Sequence, residues 1–214
     1  MTKTALTFDE KHFKPEGTES GALVWATPDG DGLRLYHYPV PPDIGADPHN
    51  IRNLRAFYRR LADPAGLGII EIDTVTVADC LAIRTIFKAA PASGGRVYLG
   101  GLTFPFRDFS YVLKSQCEER GPTGMRDTVV YMQMMESGET GIDEATETMT
   151  GWLDDPYNPF EKGPMTRNKS ERREYDAQFP QHPLSRLRRV IDHLERTVVI
   201  DESTQRQPAF SRVR

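Results

Sequence analysis

Between residues 68 and 116 the apolar side chains recur at every second position, and this run decides what the chain can fold into. Ile69-Ile70-Glu71-Ile72, Val75-Thr76-Val77, residues 80–87, Val97-Tyr98-Leu99 and residues 109–113 are rich in β-branched and aromatic residues. Such residues fit a pleated, half-buried surface. Turn chemistry interrupts them at Pro91-Ala-Ser-Gly-Gly95 and Phe104-Pro105-Phe106-Arg107-Asp108. Connections this short cannot hold the crossover that parallel strands require, so the run predicts an antiparallel meander.

Helical spacing flanks the meander. Leu33-Arg34-Leu35-Tyr36-His37-Tyr38 reads as a strand with Leu33, Leu35 and His37 on one face, ended by the prolines at 39–42. Asp47-Pro48 reads as a helix start, followed by Ile51, Leu54, Phe57 and Leu61 with arginines at 52, 55, 59 and 60 between them. After Gly121-Pro122-Thr123-Gly124, with Thr123 as N-cap, Met125, Val129, Met132 and Met135 again fall at helical spacing and read as flexible core filler, with a methionine-rich partner groove as the alternative. Leu184, Leu187, Ile191 and Leu194 mark a last amphipathic helix near 184–196. Val198-Val199-Ile200 reads as a final strand, residues 203–214 as a frayed tail, and residues 1–20 as a polar lead-in strand or loose arm. The fold class expected is α+β, an antiparallel meander packed with helices. A core domain spans 1–138, and a helical or irregular extension, 139–214, packs on it.

Composition narrows the partners. The 214 residues are 38% hydrophobic and 27% charged, enough for a real core, and no long uncharged apolar run could form a membrane helix. The N-terminal residues are too polar for a secretory signal. A net charge of −4 and a pI near 5.8 argue against a general nucleic-acid binder. Cys80 and Cys117 fit no metal spacing and read as reduced thiols, which suggests a cytoplasmic protein. No cofactor or metal is expected.

The order of strand, proline break, amphipathic helix, meander and helix resembles the PsbP-like superfamily from about Leu33 to Met135. Gly68-Ile-Ile-Glu-Ile-Asp-Thr-Val-Thr-Val, Leu81-Ala-Ile-Arg-Thr-Ile-Phe and Tyr98-Leu-Gly-Gly-Leu-Thr-Phe-Pro resemble its bacterial members, some of which are chaperone-like adaptors for secreted effectors. The resemblance implies a PsbP-like sandwich that works through its surface. The extension from Gly138 onward departs from that core.

Candidate chemistry is sparse. Cys117, Glu118, Glu119 and Arg120 would serve an enzyme only if a separated histidine came close enough to act as base. Arg120, Thr123, Gly124 and Arg126 form an anion-binding corner at a helix start, without the glycine spacing or lysine of a phosphate loop. Asp29-Gly30-Asp31 lacks the further ligands of a calcium loop and reads as a turn. Phe106 and Arg107 suggest either a turn whose phenylalanines help close the core or an aromatic-rimmed contact patch. Between Arg126 and Lys162 no basic residue occurs, whereas residues 167–189 are arginine-rich. Trp152, Tyr157, Phe160, Arg186 and Arg189 are therefore candidate partner contacts, unless the two stretches pair with each other. The leading expectation is a non-catalytic protein-binding module, an adaptor or chaperone in a bacterial secretion or toxin–immunity system. A Cys117-based enzyme and phosphate contact through the basic helix are the alternatives.

Overall fold

A computed structural model describes residues 5–92 and 94–212 and shows an α+β protein. The N-terminal part runs β1 (Leu6–Thr7), β2 (Lys14–Glu19), β3 (Ala22–Ala26), β4 (Gly32–Tyr38) and α1 (Ile51–Ala62). The meander follows as β5 (Gly68–Val77), β6 (Cys80–Ala89), β7 (Val97–Pro105) and β8 (Ser110–Glu118). Next come α2 (Met125–Glu136), the hairpin β9 (Gly141–Asp143) and β10 (Thr148–Thr150), α3 (Pro183–Thr197), β11 (Val199–Ile200) and α4 (Glu202–Gln205). Seven strands form one antiparallel sheet in the order β2-β3-β4-β8-β7-β6-β5, so α1 carries the chain from β4 to the far edge.

The two faces of this sheet are covered unequally. On one face α3 lays Leu184, Leu187, Ile191 and Leu194 against Leu33, Ile86, Leu102 and Leu113, all with no exposed surface. Each such side chain contributes about 1.5–3 kcal/mol. On the other face α1 packs Leu54 over Ile69, Ile72 and Ile83, which covers β5 and β6 only. The edge at β5 is sealed: the Ile72 N–H donates to the Tyr157 hydroxyl (2.7 Å), and Tyr157 Oη and Arg55 Nε donate to the Ile72 carbonyl. At the other edge, β2 carries Lys14, Pro15, two glutamates and a bulge between Pro15 and Gly17, features that discourage pairing with a further strand.

Several local expectations need correction. α1 begins three residues after Pro48, because Asp47 closes its own turn on His49 N–H while the Asn50 side chain accepts from Asn53 N–H. Residues 14–26 are a hairpin of the main sheet, and their polar, two-sided pattern hid it. The cap of α2 is Gly124, at φ 72°, and the Thr123 side chain does not cap. The buried face of α2 is Arg126, Val130 and Met134, so Met125, Met132 and Met135 point outward. The C-terminal tail is packed as far as it is described: α4 follows β11, Ala209 bridges Phe106, and Phe210 joins the α1 cluster. Residues 1–4 of the lead-in, Ser93 of the 91–95 turn and residues 213–214 of the tail lie outside the described residues.

Because α3 supplies one wall of the sheet's core, Leu187→Ala is expected to lower stability by about 2–5 kcal/mol in urea unfolding. A chain ending at Gly138 is expected to show no cooperative transition by circular dichroism.

Candidate partner interface

The charge split along residues 126–189 becomes a split between inside and outside. Arg126, 1% exposed, donates to the carbonyls of Ser170 and Arg172, to Asp176 Oδ1 (3.0 Å) and to Ser185 Oγ (2.9 Å). Arg188 donates to both oxygens of Asp176 and to the Glu171 carbonyl. The buried Glu171 carboxylate accepts from Lys88 Nζ (2.7 Å), Tyr98 Oη (2.7 Å) and the Asn168 N–H (2.8 Å). Arg186 forms a fork on Asp31 (2.8 and 3.1 Å) and also holds the Glu118 carbonyl. These bonds tie residues 166–188 to the sheet and to the 29–31 turn. Unpaired buried charges would be very costly, so each arginine is matched.

The anion corner is consequently closed. Arg126 is spent internally, and Arg120 donates to the Asp29 carbonyl and to Asp31. The Gly124 N–H at the start of α2 already donates to Glu119 Oε1 (2.7 Å), whose other oxygen accepts from the Arg96 N–H. Thr123 stays exposed. Of the expected partner contacts, Phe106 is buried and stacked on Phe109, Trp152 packs against Tyr131, and Tyr157 seals the β5 edge beneath Arg55. Arg186 is buried, and Arg189 pairs with Asp29 (2.9 Å). Arg107 remains exposed beside Asp108, and Phe160 is 85% exposed. With Arg186 and Arg188 inside, the basic helix offers little to phosphate. The enzyme alternative loses its nucleophile's access: Cys117 is fully buried, and burial together with the neighbouring Asp31 pushes its thiol well above the ordinary range.

What the fold does present is an exposed apolar ledge that includes the α2 methionines expected as core filler. Met125, Met132 and Met135 occupy one outward stripe of α2, and the β9–β10 hairpin, which follows in the chain, carries further exposed apolar side chains. Ile142 and Met149 face each other across that hairpin and are 56% and 60% exposed; Leu153 follows, also exposed. Tyr131 fastens the hairpin to α2 through its hydroxyl, which donates to the Gly141 carbonyl (3.2 Å). Glu136, Glu139, Asp143, Glu144 and Glu147 are all exposed on these same segments. Among the described residues only Glu139 has a cationic neighbour, Lys169 at 3.8 Å. Backbone N–H groups of Thr146 and Ala145 hold the Asp143 carboxyl below its usual range, so it stays charged. The later acids are neutralised: Asp154 by Arg167 and Arg172, Asp155 by Arg59. The signal available in the sequence was the absence of lysine and arginine between 126 and 162. Hydropathy alone pointed the methionines the wrong way.

His182 caps α3, its Nδ1 accepting from the Leu184 N–H (3.3 Å). Burial, then the cationic Arg126, Arg186 and Arg188, push its pKa down to about 3 from 6.5. The unfolded chain therefore binds a proton that the folded one refuses, and stability falls as pH drops below 6.5. The loss by pH 5 is expected to be about 2 kcal/mol, and His182→Asn, which keeps a capping acceptor, should remove most of it. Urea unfolding at pH 7 and pH 5 measures both.

The chain matches no protein-family model, and no curated protein is significantly similar to it in sequence.

Proposed function

We propose that this protein is a non-catalytic adaptor or chaperone that binds a basic, amphipathic segment of another protein. The observation that carries the reading is the exposed methionine ledge on α2 and β9–β10, set among carboxylates of which, among the described residues, only Glu139 has a cationic neighbour. Methionine is flexible and polarisable, so a row of exposed methionines can adapt to a partner's apolar side chains without a fixed shape. The surrounding carboxylates select a partner with lysine or arginine flanking those side chains, and they raise the association rate at low salt. An amphipathic helix lying on such a surface would anchor apolar residues at i, i+3, i+4 and i+7. A surface role is also what the resemblance to the PsbP-like superfamily implies. Cytoplasmic residence accords with two buried, reduced cysteines.

A fluorescein-labelled helical peptide of leucine and lysine tests this by anisotropy, beside the same peptide with glutamate in place of lysine. The basic peptide is expected to bind and to weaken as salt rises. Met132→Lys with Met149→Lys should raise its Kd by about tenfold or more, a loss of about 1.4 kcal/mol or more. Equal binding of the acidic peptide, or an unchanged Kd in the double variant, would overturn the reading.

A further inference from the structure

The uncovered face of the sheet holds a notch that belongs to none of the surfaces described above. Strand register builds it: Thr85, Gly101 and Lys114 are direct cross-strand neighbours on β6, β7 and β8. Leu99 and Thr103 flank Gly101 along β7, with Phe87 opposite Leu99 and Val112 opposite Thr103. Position 101 must be glycine, because a Cβ there would lie 1.8 Å from the Leu113 carbonyl oxygen. The row is consequently bare at its centre. α1 reaches only as far as Tyr58, whose ring stands 6.0 Å from that of Phe87. Between helix and strands a cavity of about 300 Å³ remains open.

Its lining specifies a chemistry. Tyr58, Phe87, Leu99 and Val112 provide apolar walls around a flat peptide floor at Gly101. Lys114 is the one charged residue of the lining; it is exposed, and no carboxylate pairs with it among the described residues. Thr85 and Thr103 bring hydroxyls whose hydrogen-bonding capacity no described side chain uses. A mostly apolar recess with a few converging polar groups is the usual form of a small-molecule site, and this volume lies at the lower end of the range of about 300–1,000 Å³.

We propose that the notch binds a small aromatic carboxylate, its ring on the glycine floor between Phe87, Leu99 and Val112 and its carboxylate at the Lys114 ammonium. The size admits one or two fused rings, and the lone cation selects the anion over a neutral analogue. The site stands independently of the peptide-binding ledge, on other strands and with the opposite charge.

Titration of the isotope-labelled full chain with 1-naphthoate, followed by NMR, tests it beside neutral 1-naphthalenemethanol. Saturable shifts are expected at Tyr58, Leu99, Gly101 and Val112, with naphthoate bound about three- to tenfold more tightly than the alcohol. Lys114→Gln should close that gap without changing the spectrum elsewhere, and Thr103→Trp, which fills the notch, should abolish both titrations. Equal affinity for the two probes in the unaltered chain would overturn the proposal. So would shifts confined to the methionine ledge, an absence of saturable shifts, or sedimentation showing a second copy of the chain seated on this face.

Discussion

The Glu171 carboxylate is the contact on which the arrangement of the C-terminal third depends. It lies in the interior, bonded to Lys88 and Tyr98 from two strands and to the Asn168 N–H from its own turn. Its own carbonyl then accepts from Arg188, which shares Asp176 with Arg126 of α2. A buried network of this kind adds little net stability over an apolar filling. Its geometric demands, however, permit few alternatives: the Arg126 and Arg188 guanidinium groups share Asp176 and hold the carbonyls of residues 170–172, so α2, α3 and the 166–176 segment must be in place together. The position of the methionine ledge follows from that constraint.

The same network helps explain how a chain with a net charge of only −4 presents a locally acidic patch on residues 136–147. Arg84, Lys88, Arg126, Arg186 and Arg188 are all buried. All five meet carboxylates drawn from elsewhere in the chain: Asp31, Glu71, Asp192 and Glu195 as well as Asp176 and Glu171. Apart from Glu139, which has Lys169 at 3.8 Å, the acids of residues 136–147 have no cation beside them among the described residues, because the arginines that follow them in sequence turn to other partners. The surface charge thus reflects which groups the core consumes more than the overall composition.

The strands and α3 were legible in the sequence because each obeys a simple rule. Period two marked β4 to β8, and the fully apolar stripe of Leu184, Leu187, Ile191 and Leu194 marked the helix that covers them. α2 broke the rule. Its inward stripe contains Arg126, which meets backbone carbonyls, Asp176 and Ser185, while Val130 and Met134 pack with Trp152, so ranking residues by hydropathy sends the outer methionines to the wrong side. Arg186 and Arg188 were misplaced for a related reason: α3 is flanked by the 29–31 turn and the 171–176 segment, and burial spreads beyond its leucine stripe. The hairpin at 14–26 was illegible because β2 is exposed on both faces.

These misplacements share a physical origin that bears on function. Charged and titratable side chains in this protein are drawn into structural roles: Cys117 beside Asp31, His182 as a helix cap, the arginines as clamps. A catalytic group needs a reactive protonation state and room for a substrate, whereas these groups are held by burial and internal partners in the forms that favour the fold. Among the groups that remain outside are adaptable apolar side chains on α2 and apolar side chains around a single lysine on the open sheet. Surfaces of that composition gain their free energy by excluding water and matching charge, which is the physics of recognition.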